Sequence, residues 1–270
     1  MIKDNTVLIL GAGTSLQYSC PSAPELVKNI CSLLGKPTRP FLPQQIKTLQ
    51  NLGFESKEIF NFVDALANCG RDTIDEFLTH NSRFDKIGKY AIAMSLIRCE
   101  NPEPLMLGFK DKNWYKYLFT AMSNETDFDS FVKNNISFIT FNYDRSLEQF
   151  LFTSLRNLYV VSESEVYSMM KKLRIVHVHG QLGYMPWQNK DFRPYHNILD
   201  TDNLKKAAEG IITINEADEG IKGFVNARRL ISEAQKVVFL GFGFHTVNIQ
   251  RLNATRCLKG KYTLGTAKDI

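Results

Sequence analysis

Residues 6–15 read TVLILGAGTS. An apolar, β-branched run followed at once by glycines at 11 and 13 is a buried strand ending in a tight turn. Neither glycine has a Cβ to hold the backbone away from an anion. Thr14 and Ser15 add hydroxyls, and the amides after them are expected to point outward at the start of a helix. Gly11, Ala12, Gly13, Thr14 and Ser15 are therefore the expected phosphate-binding residues, the alternative being a plain strand-to-helix turn. The pattern is not the GxGxxG fingerprint, because Leu16 stands where a third glycine would let helix and strand pack closely. The fingerprint's second part, an acid at the tip of a second strand ~20 residues on, is also missing. That region reads as helix and then KPTRP. A hydride-transferring oxidoreductase fits the first turn but neither departure.

Further short apolar runs follow: ISFITF (136–141), NLYVV (157–161), RIVHVH (174–179), IITI (211–214), KVVFL (236–240) and KYTLG (261–265). Most are continuous rather than alternating, as in strands covered on both faces. Helical patterns over Arg145–Arg156, Glu163–Lys172, Ile221–Ala234 and Val247–Leu258 lie between them. Alternation of this kind predicts an α/β fold, a Rossmann-like doubly wound parallel sheet. Residues 23 to about 134 contain no convincing strand. The prediction is therefore a core of 1–34 and 135–270, with a large all-helical insert over 35–134 after the first strand-turn-helix. Gly35, Gly53 and Gly70 fall where helix C-caps belong, Asp72-Thr73 precedes a helix start, and Pro37, Pro40 and Pro43 crowd the entry to the insert.

Composition narrows the class. A net charge of +5 is mild and suits an anionic ligand without calling for nucleic acid. No stretch reaches the roughly 18 apolar residues of a membrane span, and the N-terminus does not resemble a signal peptide. The cysteines, at 20, 31, 69, 99 and 257, are odd in number and form no CxxC. That spacing argues against zinc and against a disulfide framework, and makes a reducing cytoplasm the simplest location.

In a doubly wound sheet, ligands sit beyond the C-terminal ends of the strands. After ISFIT comes FNYD: Asn142 and Asp144 at this tip can orient a ribose or a water, although Asp144 also suits a helix N-cap. After RIV comes HVHG. Strand alternation would turn His177 and His179 to one side, and His179, next to Gly180, lies nearer the ligand end. A neutral imidazole suits general-base work, the alternative being a hydrogen-bonded structural pair; no third metal ligand stands at a recognisable spacing. After KVVFL comes GFGFHTVN, where Gly241, Gly243, His245 and Asn248 can meet the other half of a dinucleotide. In TIDEFL, Ile74, Phe77 and Leu78 pack a helix while Asp75 and Glu76 are expected in solvent.

The order GAGTS, IDEFL, FNYD, HVHG, GFGF resembles the sirtuin-like family of NAD-using domains. It is more specifically similar to the bacterial sirtuin-like domains of antiviral defence proteins, which share GAGxS followed by a P-S-x-x-E-L stretch (Pro21, Ser22, Glu25, Leu26), NYD and GFGF. The likeness runs from residue 6 to about 250. Paired CxxC motifs of the deacylase zinc ribbon are absent, and CPSAPEL replaces the deacylase F-R-G loop. The resemblance therefore implies an NAD glycohydrolase without zinc, with NAD as substrate. It implies Asn142 orienting ribose or water, Asp144 holding the carboxamide or polarising the site, and His179 as general base. A non-catalytic NAD or ADP-ribose sensor and a protein deacylase are the alternatives. The resemblance further implies gating by a homo-oligomer or by a separate regulatory or sensor protein.

Overall fold

The computed structural model describes residues 1–37, 42–107, 113–213, 215–216 and 222–266. Five strands form one all-parallel sheet: β1 (Thr6–Leu10), β2 (Ile136–Thr140), β3 (Arg174–His177), β4 (Lys236–Leu240) and β5 (Tyr262–Gly265), in the order β3-β2-β1-β4-β5. β1 is central, with Leu8 opposite Phe138 of β2 and Val238 of β4. Its side chains alternate between two cores. Leu8 and Leu10 join one cluster, Val7 and Ile9 the other. This is why TVLIL has to be apolar throughout: both faces are covered.

The helices, in chain order, are α1 (Ala23–Leu34), α2 (Gln44–Asn51), α3 (Ser56–Asn68), α4 (Ile74–His80), α5 (Asp85–Leu96), α6 (Pro102–Leu107) and α7 (Trp114–Ser123) before β2. After β2 follow α8 (Ser146–Tyr159), α9 (Glu163–Met170), α10 (Thr201–Glu209), α11 (Lys222–Glu233), α12 (Thr246–Arg251) and α13 (Ala254–Cys257). Residues of α7, α8 and α9 cover one face of the sheet, and residues of α11 and α13 cover the other. The doubly wound α/β fold with its helical insert is thus the observed architecture.

The apolar clusters show how the insert is attached. Ile30 and Leu34 of α1 and Leu204 and Ala207 of α10 pack with α2–α5 in a third core. Tyr115 and Met122 of α7 instead pack on α8 against the sheet. The helical body therefore draws α1 and α10 into itself, while α6 and α7 lie with the sheet body.

Several expectations are corrected. NLYVV is not a strand. Leu147, Phe150, Leu151 and Leu155 give α8 an apolar face at helical spacing, and the helix runs on through Tyr159 until Val160 turns left-handed (φ 53°). The described residues 211–213 of IITI form no strand either; Ile211 makes one isolated antiparallel bridge to Gly180. Val247–Leu258 is two short helices, α12 and α13, because Asn253 between them is left-handed (φ 51°). Gly53 and Gly70 are left-handed where helices end, whereas Gly35 has φ −62°. Pro40, Ile214 and Ile221 lie outside the described residues. The expectation of no disulfide is also overturned. Cys20 and Cys99 are bonded, with Cα atoms 5.0 Å apart. Their separation of 79 residues is invisible to any spacing rule, and the helical insert is what brings them together.

Candidate functional site

A cavity of about 730 Å³ opens at the C-terminal end of the sheet, roofed by the helical insert. Of the twelve residues singled out at the strand tips, eleven line it; Thr14 does not. The turn after β1 explains this exception. The Thr14 hydroxyl donates to the Gly11 carbonyl at 2.7 Å.

The backbone of the turn is similarly engaged. Gly13 N donates to Gly241 O at 3.0 Å, Thr14 N to Gly11 O at 3.0 Å, and Ser15 N to Ala12 O at 3.1 Å. The chain leaves the turn through two 3₁₀ turns, Ala12–Thr14 and Leu16–Tyr18, rather than an α-helix. The amides of Thr14 and Ser15 are thus used within the turn, and the α-helix expected directly after it is delayed: α1 begins only at Ala23 behind its own Ser22–Glu25 capping box. The two glycine turns touch backbone to backbone. A Cβ on Gly11 would lie 2.5 Å from Gly241 O, and one on Gly241 (φ 54°) 2.4 Å from Thr14 N.

Asn142, just past β2, holds this turn from inside. Its Nδ2 lies 3.0 Å from Gly11 O, 3.1 Å from Thr14 Oγ1 and 3.1 Å from Ser15 Oγ. That orientation leaves Oδ1 without a protein partner among the described residues, as an acceptor on the cavity wall. Asp144 is more fully committed. One oxygen accepts from Ser15 Oγ at 2.8 Å, and the other accepts from the Ser146 amide at 3.2 Å and the Ser146 hydroxyl. The carboxylate ties the glycine turn to the first turn of α8.

His177 and His179 do not share an environment, contrary to the alternation read from the strand. His177 ends β3 and turns to α8. Its Nε2 lies 2.6 Å from Glu148 Oε1 and its Nδ1 3.0 Å from Asn142 O. Burial pulls its pKa down, but the Glu148 carboxylate and the bond to Asn142 O outweigh that, and the ring is held above its ordinary value. His179 lies beyond the strand end, 4% exposed, between Phe141 and Phe224 at 5.5 Å each and Tyr143 at 6.4 Å. Burial pushes its pKa down, Arg251 adds to that, and Asp75 and Asn248 oppose it. Its Nδ1 is buried with no hydrogen-bond partner. A cavity-lining imidazole kept neutral, with one nitrogen unpaired, is poised to take a proton from a ligand or a water.

The insert supplies residues that the sequence did not assign to the site. Arg71, Asp75, Glu76, Thr79 and His80 all line the cavity. The solvated reading of Asp75 and Glu76 is therefore corrected: both are half-buried on its wall. The amphipathic pattern correctly buried Ile74, Phe77 and Leu78. It could not show that the remaining face of α4 meets Tyr143, whose hydroxyl donates to Asp75 Oδ1 at 2.9 Å. Across the mouth, Glu76 Oε1 stands 4.0 Å from Nδ1 of His245, in the turn after β4.

Beneath the tip of β2 lies a fully buried ionic knot. Glu100 receives Arg145 Nε at 3.0 Å and Nη2 at 2.6 Å, and also pairs with Arg193. It fixes the residue next to Asp144. Among the described residues no three metal-ligating side chains cluster, and no helix is long and apolar enough to cross a membrane.

Residues 136–259, from β2 through α13, match the family model of the SIR2-like domain. No curated protein matches the chain. The matched stretch contains Asn142, Asp144, His179 and the whole turn after β4.

Proposed function

We propose that this sirtuin-like chain is an NAD glycohydrolase, cleaving the bond between nicotinamide and ribose to give nicotinamide and ADP-ribose. A SIR2-like domain points to NAD-utilising chemistry in general. The observation that carries the finer reading is His179: a neutral, buried imidazole on the cavity wall with Nδ1 unpartnered.

The reaction needs little beyond positioning. Nicotinamide leaves as a neutral molecule with the electron pair of the C1′–N bond, and positive character builds on the ribose as in other glycoside cleavages. Water attacks C1′ and must lose a proton. His179 takes that proton, and Oδ1 of Asn142 accepts a hydrogen bond from the same water or from a ribose hydroxyl. Asp144, with both oxygens occupied by protein donors, acts by bracing the Gly11–Ser15 turn against β2. The pyrophosphate is assigned to the stretch of cavity wall where the Gly11–Gly13 and Gly241–Gly243 turns meet, with Ala12, Ser15, His245 and Asn248 around it. Thr14 serves from within, through Gly11.

A positioned base contributes about 10²–10⁴-fold, so His179→Ala is expected to lose at least about a hundredfold of nicotinamide release, followed by chromatography. Equal release from both proteins would refute the assignment. Tight NAD binding with no product from wild type would identify a sensor module instead.

The motif order supports a place in bacterial antiviral defence, as an NAD-depleting effector held in check by self-assembly or by a separate sensor protein. Growth arrest with loss of cellular NAD on expression of wild type, absent with His179→Ala, is the corresponding test in cells.

A further inference from the structure

The insert reaches the candidate base through one carboxylate. α4 is fixed at its start by Thr73, whose hydroxyl accepts from Glu76 N at 3.1 Å, and along its length by burial of Ile74, Phe77 and Leu78. With that face committed, Asp75 is turned to the cavity. Tyr143 is buried and donates its only hydroxyl proton to Asp75 Oδ1. Asp75 Oδ2 has no protein partner among the described residues. The Tyr143 ring in turn packs 6.4 Å from the His179 ring.

We propose that Asp75 is a positioning residue of the site: the carboxylate that balances His179 when it becomes an imidazolium, seated there by Tyr143 and by α4. This rests on the hydrolase reading above for its chemistry, but not for its geometry. The proton that leaves water stays on His179; Asp75 takes none. The groups facing His179 are few. Asp75 comes from α4, Asn248 and Arg251 from α12, Tyr143 and Phe141 from the β2 tip, and Phe224 from α11. Asp75 and Asn248 favour the protonated ring, while Arg251 and burial disfavour it. Asp75 is the anion in this set. The three aromatic rings around His179 keep water from much of its surface, so a neighbouring carboxylate is felt more strongly there than in bulk water. A base buried without such a partner would be neutral but too weak to accept a proton well.

The test is a histidine side-chain NMR titration of the full chain between about pH 4 and 9, with the His179 signal assigned by its loss in His179→Gln. In Asp75→Asn the His179 midpoint is expected to fall by about one pH unit. Asp75→Glu, which restores the charge, is expected to recover most of that shift. In NAD cleavage, the acid limb of the rate profile moves down by the same amount and the plateau falls about threefold or more, as Brønsted behaviour requires. A His179 midpoint unchanged in folded Asp75→Asn overturns the proposal. So does a rate loss with no movement of the acid limb, which would be the mark of a merely structural role. If no preparation cleaves NAD, the hydrolase reading fails while the titration still decides whether Asp75 governs His179.

Discussion

Replacing Glu100 by Gln keeps the shape of the buried knot and removes its only anion. Glu100, Arg145 and Arg193 are each 0% exposed. Burial pulls both guanidiniums down to about 10, so both stay charged at neutral pH. Gln leaves two buried cations facing one neutral amide. Some compensation survives: Arg145 Nη1 still donates to Arg193 O at 2.7 Å, and Arg193 Nε to Leu182 O at 2.8 Å. Breaking a buried pair by removing one partner costs about 3–5 kcal/mol. The retained carbonyl bonds place Glu100→Gln at the lower end, about 3 kcal/mol. At roughly 2–4 °C per kcal/mol for a chain of this size, Tm should fall by about 10 °C. Calorimetry gives the Tm, and urea unfolding of the same protein gives the free energy. A loss below about 1 kcal/mol would mean the knot is no stronger than a surface pair, and would refute the reasoning.

Two further outcomes follow from other parts of the fold. His177 has a folded pKa above its unfolded value, so its pairing with Glu148 contributes stability fully below about pH 6.5 and loses it as pH rises through the folded pKa. Urea unfolding should therefore show wild type exceeding His177→Gln by more at pH 6 than at pH 9, and a pH-independent gap would contradict the pairing. Alkylation without reductant should modify Cys31, Cys69 and Cys257, with Cys20 and Cys99 reacting only after reduction. In the chain-entropy account, a closed loop of this length stabilises by about 4.5 kcal/mol, so reductant should lower Tm measurably. Five reactive thiols from the outset would remove the bond.

The sheet was readable because its strands are covered on both faces and so appear as unbroken apolar runs. The tips were readable because the strands are parallel. Residues following β1, β2, β3 and β4 must then meet at one end, whatever the order of the strands. NLYVV misled because a helix that ends on Tyr159 and is followed by two valines imitates a strand at its last turn. The roles of Glu100 and Asp75 could not be read from sequence. A glutamate before NPEP looks solvated, and only the docking of the insert buries it between two arginines. Asp75 lies on the polar face of an amphipathic helix, which is the expected face for solvent. The one cue was Tyr143 in the NYD motif: a tyrosine at a buried strand tip needs a partner for its hydroxyl, and a group from elsewhere in the chain has to provide it.

Cys20 and Cys99 bring the two ends of the helical body to within 5.0 Å. A chain that departs and returns within the span of about two residues puts no tension on the strands it leaves. The length and content of the roof are thereby uncoupled from the register of the floor. Lineages could lengthen, shorten or exchange the stretch between these two points, and with it whatever the cavity admits or answers to, while Asn142 and His179 keep their places.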